Sequence, residues 1–265
     1  MHSARQISAD ALSRFDTSDD KITILVERLC NKYGLSLSEQ KRSRVIINEV
    51  IRSKGILDYI IEKCSSKKIN QIQPELRSIL RIGCYELIFD DFVPDFAAIH
   101  SAVELGKTSI NKKSGSMVNA VLRNIQRKQK KDPAWVKSII NNNVELAYPS
   151  WLVKKWKKQF GLTITEKLCV SFLNKSPMFL RVNENLLEIN EAINYLSQSG
   201  IRLKQHDVFT NFLEVTNGQD KIINSELFDS GIISIQDPAS GAVVELINPQ
   251  KGESILDVCA APGTK

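Results

Sequence analysis

The last eleven residues carry the clearest indication of a ligand-binding turn. An apolar run at residues 255–258 passes abruptly into small residues, then into Pro262 and Gly263. This pattern is typical of a buried parallel strand that opens into a turn, and ligands of doubly wound sheets sit beyond the carboxyl ends of such strands. Ala260, Ala261 and Gly263 would let a cofactor approach the backbone closely. An ordinary strand-to-helix turn has the same features, so this pattern alone leaves both interpretations open.

The order of residues in this turn makes the prediction more specific. The stretch Asp257-Val258-Cys259-Ala260-Ala261-Pro262-Gly263-Thr264-Lys265 resembles the S-adenosylmethionine loop of the RNA (cytosine-C5)-methyltransferases of the Nop2/Sun group. Thr264 stands where that family usually has a second glycine, and a β-branched residue disfavours positive φ. The resemblance implies that S-adenosylmethionine is the cofactor and that seven residues contact it: Cys259, Ala260, Ala261, Pro262, Gly263, Thr264 and Lys265.

Length and composition indicate a globular chain with more than one domain. The 265 residues accommodate two domains and a small or incomplete third. The apolar and charged fractions, 42% and 25%, are those of ordinary globular proteins rather than of disordered chains. A formal net charge of +6 suits a polyanionic partner such as nucleic acid, although many basic proteins bind none.

The cysteines indicate neither a disulfide framework nor a zinc site. Their number is odd, they are widely spaced and no C-x-x-C pair occurs. Reduced thiols in the cytoplasm are therefore expected. No apolar run is long enough for a signal peptide or a membrane span. We expect a cytoplasmic monomer with no metal and no membrane association.

Residues 20–131 have the pattern of a helical bundle. Apolar residues recur at helical spacing throughout, as at Val118, Val121, Leu122 and Ile125, and Pro74 suits a helix start. The stretches 80–89, 93–95, 102–107 and 118–125 resemble the NusB fold. That fold is an all-α RNA-binding module, and it also forms the N-terminal domain of bacterial 16S rRNA (cytosine-C5)-methyltransferases of the Fmu/Sun type. The resemblance implies that 16S rRNA is the partner.

Two basic helices are candidate RNA contacts. One ends near residue 131 and presents Arg123, Arg127 and Lys128, which could bind phosphate or simply suit the helix dipole. The other, from Trp151 to Phe160, combines two tryptophans with Lys154, Lys155, Lys157 and Lys158. Aromatic and cationic side chains together can stack on bases and bind phosphates. The alternative, which we favour for Trp151 and Trp156, is that the tryptophans pack in a core; the lysines would then only confer solubility.

The second half of the chain alternates between helix and strand. Strands are predicted at 178–183, 201–205 and 212–215, and a helix at 187–199 is closed by Gly200. Residues 148–152 and 231–240 resemble the region that precedes the catalytic domain in the same methyltransferase family. A helix at 241–247 and a cofactor strand at 254–258 would follow.

The predicted fold class is therefore multidomain. An all-α NusB-like domain covers residues 1–131, a linker covers 132–147 and a small α/β domain covers 148–225. Residues 226–265 would begin a Rossmann-like methyltransferase domain, with its first strand and cofactor loop.

The resemblance implies S-adenosylmethionine-dependent methylation of cytosine C5 in 16S rRNA. In that family a cysteine thiolate adds to C6 and makes C5 nucleophilic. The catalytic cysteines lie downstream of the cofactor loop, so no catalytic residue is assigned here. We expect this chain alone, as the N-terminal part of a longer enzyme, to be inactive. A non-enzymatic NusB-type RNA-binding module is the alternative, and continuation of the reading frame beyond Lys265 would discriminate between the two.

Overall fold

A computed structural model describes residues 3–174, 176–261 and 263. The chain divides into two compact units, the first of which ends at Asn174. No strand occurs among the described residues of the first unit, which confirms the all-α prediction. Its helices are α1 (Ala4–Phe15), α2 (Ile22–Tyr33), α3 (Leu37–Arg52), α4 (Lys54–Ser65), α5 (Pro74–Ile88), α6 (Asp95–Ser109), α7 (Lys112–Lys131), α8 (Trp135–Asn143) and α9 (Ser150–Leu173), with short 3-10 turns at Ile69–Gln71 and Val144–Ala147.

Helix α5 lies at the centre of the first unit. It begins with Pro74 at its first position, as predicted, and nearly every residue from Leu76 to Leu87 is buried. A helix buried along its whole circumference needs neighbours on all sides, and α1, α3, α4, α6 and α7 pack against it. Helices α6 and α7 cross where Gly106 meets Gly115, because neither residue has a side chain to hold the backbones apart.

Helix α1 lies outside the region for which the sequence predicts helices. Ser3 caps the amino end of α1 by accepting a hydrogen bond from the backbone N–H of Gln6. The apolar face of this helix includes Ile7, Ala11 and Leu12, which are all buried. Apart from Ile7 and Leu12, the buried side chains of this helix are alanines and a serine, so the apolar periodicity is weak in the sequence although the helix is well packed.

Two groups of buried ions join the helices around α5. In one, the Asp16 carboxylate forms ion pairs with Lys54, Arg77 and Arg81, whose Nζ, Nη2 and Nη1 atoms lie 2.6, 2.9 and 2.6 Å from it. In the other, the fully buried Glu86 carboxylate pairs with Arg5 at 2.9 Å and with Arg42 at 3.0 Å. Each group links segments far apart in sequence and leaves few charges without a counter-ion.

The predicted linker at 132–147 is mostly helical. Helix α8 and the 3-10 turn Val144–Ala147 fill most of it, and both pack against α4. The contact is close because Gly55 has no side chain: a Cβ there would lie 1.6 Å from the carbonyl oxygen of Leu146. This segment between α7 and α9 is therefore helical and packed on α4.

Helix α9 is bent at Gly161. The backbone there has φ 77° and ψ 175°, a conformation that glycine adopts without strain. The sequence predicts a helix from Trp151 to Phe160, and this break lies directly after its end. Beyond it, the Thr165 hydroxyl donates to the carbonyl oxygen of Gly161 at 2.7 Å.

The second unit contains a four-stranded antiparallel sheet of order β2-β3-β1-β4. The strands alternate with helices in the succession β-α-β-β-α-α-β, and one more helix follows the last strand. The elements are β1 (Met178–Val182), α10 (Ile189–Gln198), β2 (Arg202–Gln205), β3 (Phe212–Asn217), α11 (Gln219–Ile222), α12 (Glu226–Asp229), β4 (Ile233–Ile235) and α13 (Pro238–Ile247).

One face of the sheet forms the core of the second unit. Leu180 pairs with Leu213, and Val182 pairs with Ile233, so these side chains project to the same side. They pack with Ala192 and Leu196 of α10 and with other buried residues of the unit. On the opposite face, Phe212 is completely buried, and a Cβ added to Gly241 of α13 would come within 2.5 Å of its ring.

The predicted cofactor strand at 254–258 does not form. Residues 253–257 have no regular structure, and Ile255, Leu256 and Val258 are 57%, 84% and 84% exposed. A parallel strand is held by hydrogen bonds to neighbouring strands, and none of the strands among the described residues pairs with this segment. The apolar run alone is therefore insufficient to make the strand.

Candidate nucleic-acid interface and cofactor loop

The carboxyl end of α7 presents cations in two different settings. Arg123 and Arg127 are both exposed. The Arg123 guanidinium donates to Gln126 at 3.1 Å, and the Gln126 amide in turn donates to Asp95 at 2.9 Å. Arg123 is therefore partly oriented by a neighbour, while Arg127 extends into solvent.

Lys128 connects the end of α7 to two other segments. Its ammonium lies 5.4 Å from the centre of the Trp135 ring and 3.4 Å from the carbonyl oxygen of Lys63. Asn124, one turn earlier on α7, donates to the carbonyl oxygen of Cys64 at 2.9 Å. The end of α4 is therefore held beside the end of α7, a proximity that the sequence analysis missed.

The first half of α9 concentrates its exposed cations on one face. Trp151, Lys154, Lys155 and Lys158 are all exposed and follow the spacing i, i+3, i+4, i+7, so they form a continuous stripe. Trp151 is 65% exposed, which shows that our preference for a core role is wrong for this residue. An exposed indole beside three ammonium groups is suited to stacking on a base while the lysines bind phosphates.

The other two candidates on this helix face the protein. The half-buried Trp156 ring lies 5.6 Å from Tyr148 and 5.8 Å from Phe172, measured between ring centres, so Trp156 packs in a small ring cluster. Lys157 is half-buried and pairs with Glu145 at 2.7 Å. The hydroxyl of Tyr148 donates to the carbonyl oxygen of Cys169, and burial raises the pKa of Tyr148 to about 12.

The candidate cofactor loop is an exposed turn. Cys259, Ala260 and Ala261 are exposed, and the backbone N–H of Cys259 donates to the Asp257 carboxylate at 2.8 Å. Gly263 has φ 96° with open space where a Cβ would stand, which suits a backbone that a ligand approaches closely. Pro262, Thr264 and Lys265 lie outside the described residues.

The five cysteines divide into four buried thiols and one exposed thiol. Cys30, Cys64, Cys84 and Cys169 are buried, and burial raises the pKa of each of these thiols. Cys259 is the exposed one. A buried thiol of raised pKa is a poor nucleophile, which leaves the four buried cysteines without the properties of a catalytic residue.

Comparison with protein families identifies both parts of this architecture. Residues 2–127 match the NusB family, and residues 148–220 match the ferredoxin-like domain described as Methyltr_RsmF/B-like. The second match includes α9, although that helix clusters with the first unit. The chain therefore combines a NusB domain with a ferredoxin-like domain of the kind found in rRNA methyltransferase relatives, as the sequence resemblance implies.

The relatives are similar to the chain over its full length. The probable ribosomal RNA small subunit methyltransferase B of Bacillus subtilis (strain 168) is 29% identical over 264 residues, which cover 99% of this chain and 58% of that protein. The protein of the same name from Synechocystis sp. is 28% identical over 266 residues, covering 100% of this chain and 60% of that protein. The chain thus spans less than two thirds of the length of the relatives it matches.

A solved structure shares the fold. The crystal structure of PH0851 superposes with a TM-score of 0.57 at 19% identity, covering 99% of this chain and 59% of that one. Among the described residues, no helix is both long and apolar enough to cross a membrane. The same residues contain no group of three or more His, Cys, Asp or Glu side chains placed to hold a metal ion.

Proposed function

We propose that this chain is the N-terminal, RNA-engaging part of an enzyme that methylates cytosine C5 in 16S rRNA with S-adenosylmethionine. The observation that supports the proposal is the combination, in order, of the NusB match and the RsmF/B-like match, together with similarity over the whole of this chain to proteins named probable ribosomal RNA small subunit methyltransferase B. The loop that begins at Asp257 adds the cofactor signature. We further propose that the protein acts as a cytoplasmic monomer.

In this proposal two helices of the first unit bind RNA. The end of α7 and the exposed stripe of α9 contact the RNA backbone through Arg123, Arg127, Lys128, Lys154, Lys155 and Lys158. Lys157 contributes less than its neighbours, because its charge is already paired with Glu145. Trp151 supplies an aromatic surface on which an unpaired base stacks.

The loop at Cys259 to Lys265 would hold part of the cofactor. Small side chains and the positive φ of Gly263 fit the close approach of a nucleoside to the backbone. When bound, S-adenosylmethionine supplies an electrophilic methyl group. The described residues of the loop are solvent-exposed, so the isolated 265-residue chain is expected to bind the cofactor weakly and to transfer no methyl group.

The enzymatic proposal is tested in the source organism. The gene that contains this sequence is deleted, and 5-methylcytosine is mapped in 16S rRNA by bisulfite sequencing and by mass spectrometry of nuclease fragments. We expect one or more 5-methylcytosines to disappear and to return on complementation. An unchanged 16S methylation pattern would instead favour the non-enzymatic RNA-binding module, and loss of a different modification would overturn the C5 assignment.

The RNA contacts are tested by salt-dependent binding. Affinity for transcribed 16S rRNA fragments is measured by fluorescence anisotropy over a series of KCl concentrations. Replacing Lys154, Lys155 and Lys158 together with Gln should reduce the slope of log K against log salt by about 2 to 3, since each phosphate contact contributes about 0.7–0.9. Lys157→Gln alone should change the slope less than Lys155→Gln alone.

A second variant separates stacking from charge. Trp151→Ala should weaken RNA binding by about 1–3 kcal/mol while leaving the salt slope unchanged, because stacking releases no counter-ions. Binding of RNA by all of these variants with the affinity and the salt slope of the unaltered chain would contradict the proposed contacts. That result would mean that the lysines only confer solubility.

A further inference from the structure

The carboxyl end of α4 forms a basic cleft that the proposed function does not yet include. A cavity of about 350 Å³ opens there, lined by Tyr59, Glu62, Lys63, Ser66, Lys67, Lys68 and Gln71. The three lysines are exposed. The lining contains these three lysines and a single carboxylate, that of Glu62, so it carries an excess of positive charge.

The carboxylate in the cleft is already engaged by neighbouring groups. One oxygen of Glu62 accepts the backbone N–H of Ile69 at 2.8 Å, and the other lies 3.3 Å from the Lys68 ammonium. These bonds lower the pKa of Glu62, with the backbone bond as the largest cause. Glu62 therefore holds the α4–α5 connection in place. The Lys63 and Lys67 charges remain available to a ligand, and the Lys68 ammonium, whose side chain is 75% exposed, can contact a ligand beside its long pair with Glu62.

An aromatic ring orients one of the available cations. The Lys63 ammonium lies 5.3 Å from the centre of the half-buried Tyr59 ring, a distance at which the ring face attracts a cation. Ser66, at the mouth of the cleft, has φ 55°, so the chain turns sharply there and Lys67 follows at once. The cleft is thus shaped by local bonds, and it is more than a row of solvated lysines.

The cleft continues into the basic end of α7. Asn124 and Lys128 bond to the carbonyl oxygens of Cys64 and Lys63, which fixes the end of α4 against α7. Lysines from residues 63–68 and cations from residues 123–131 therefore share one side of the first unit. The run at 63–68 is too short and too mixed with serine to stand out in the sequence.

We propose that this cleft is a second RNA-backbone site, in which Lys63, Lys67 and Lys68 bind the phosphates of a strand that also contacts the end of α7. Ammonium groups around a concave surface suit phosphate oxygens, and they need no particular base. The inference rests on the proposed RNA-binding role and extends it to a surface formed only by folding.

The test compares two charge-matched variants of the full 265-residue chain. One carries Lys63→Gln, Lys67→Gln and Lys68→Gln; the control carries Lys21→Gln, Arg28→Gln and Lys41→Gln, which remove three exposed cations from α2, its amino end and α3. Anisotropy with a transcribed 16S rRNA fragment should show a salt slope lower by about 2 to 3 in the first variant. The control should retain nearly the slope of the unaltered chain.

Lysine labelling gives a readout that requires no substitution. The unaltered chain is acetylated with and without the same RNA, and modified positions are identified by mass spectrometry. Lys63, Lys67 and Lys68 should be protected by RNA, while Lys21 and Lys41 should remain reactive.

If the unaltered chain shows no salt-dependent binding, the proposed RNA function itself fails. If it binds but the two triple variants are equivalent and the cleft lysines are unprotected, the cleft proposal alone is overturned.

Discussion

Arg81 donates two parallel hydrogen bonds to Asp58, from Nε to Oδ1 at 2.6 Å and from Nη2 to Oδ2 at 2.8 Å. Its remaining terminal nitrogen, Nη1, bonds to Asp16 at 2.6 Å. The Arg81 side chain is 3% exposed, so one buried guanidinium on α5 joins the end of α1 to α4. Bidentate geometry of this kind is what makes a buried arginine tolerable.

Arg81→Met should therefore destabilise the first unit strongly. Removing the guanidinium leaves Asp16 and Asp58 close together with less compensation, and breaking a buried ion pair from one side costs about 3–5 kcal/mol. Urea unfolding followed by circular dichroism measures the loss. Arg14→Met is the matched control: its pair with Asp10 is solvent-exposed, so the expected cost is below about 1 kcal/mol. Equal losses in the two variants would contradict the role assigned to Arg81.

The same cluster predicts a dependence of stability on pH. Burial alone would raise the pKa of Asp16, but hydrogen bonds and charges from Lys54 and Arg81 outweigh it and lower the pKa. A carboxyl group with a lowered folded-state pKa contributes stability above its unfolded pKa of about 3.9, and that stability is lost as the pH falls through the folded pKa. We therefore compare the free energy of unfolding of the unaltered chain with that of Asp16→Asn. The unaltered chain should be the more stable of the two, by a margin that is largest near neutrality and shrinks below about pH 4. A difference that stays constant with pH would refute this linkage.

Gly55→Ala tests the packing of the segment between α7 and α9. In an exposed helix, replacing glycine by alanine stabilises by about 1 kcal/mol. Here the added methyl group would overlap the carbonyl group of Leu146, so we expect destabilisation and faster proteolytic cleavage near residues 144–147. Helix propensity alone predicts that the variant is more stable, whereas the overlap with Leu146 predicts that it is less stable. A more stable variant would therefore mean that the 3-10 turn does not pack on α4.

Cysteine labelling tests the exposure of the candidate cofactor loop. Under native conditions one thiol, Cys259, should react rapidly with iodoacetamide, and the four buried thiols should react only after unfolding. Raised pKa values slow the buried group further, since the thiolate is the reactive form. Cys259→Ser should abolish the rapid phase. Rapid labelling of Cys84 or Cys169 in the folded chain would contradict the packing of α5 or α9.

Local patterns in the sequence are sufficient for much of this fold. The helical spacing around Val118 and the proline at residue 74 predict helices that the structure contains, because one-sided burial and backbone restriction act within a few residues. The same local reasons predict the strand that contains Leu180. The order of the NusB-like and methyltransferase-like motifs by itself indicates the family.

Other features depend on contacts between distant residues. Trp151 and Trp156 have the same side chain and similar neighbours in sequence, yet only Trp156 lies in the ring cluster with Tyr148 and Phe172. The strand expected at 254–258 has a suitable apolar run, but a strand needs partners that a local pattern does not supply. The basic cleft likewise lies beside the cations of α7 because Asn124 and Lys128 bond to the end of α4. The sequence by itself determined which residues carry charge and where most of the helices between residues 20 and 131 lie. Only the tertiary structure decided which charges share a surface, because that depends on packing between segments some 60 residues apart.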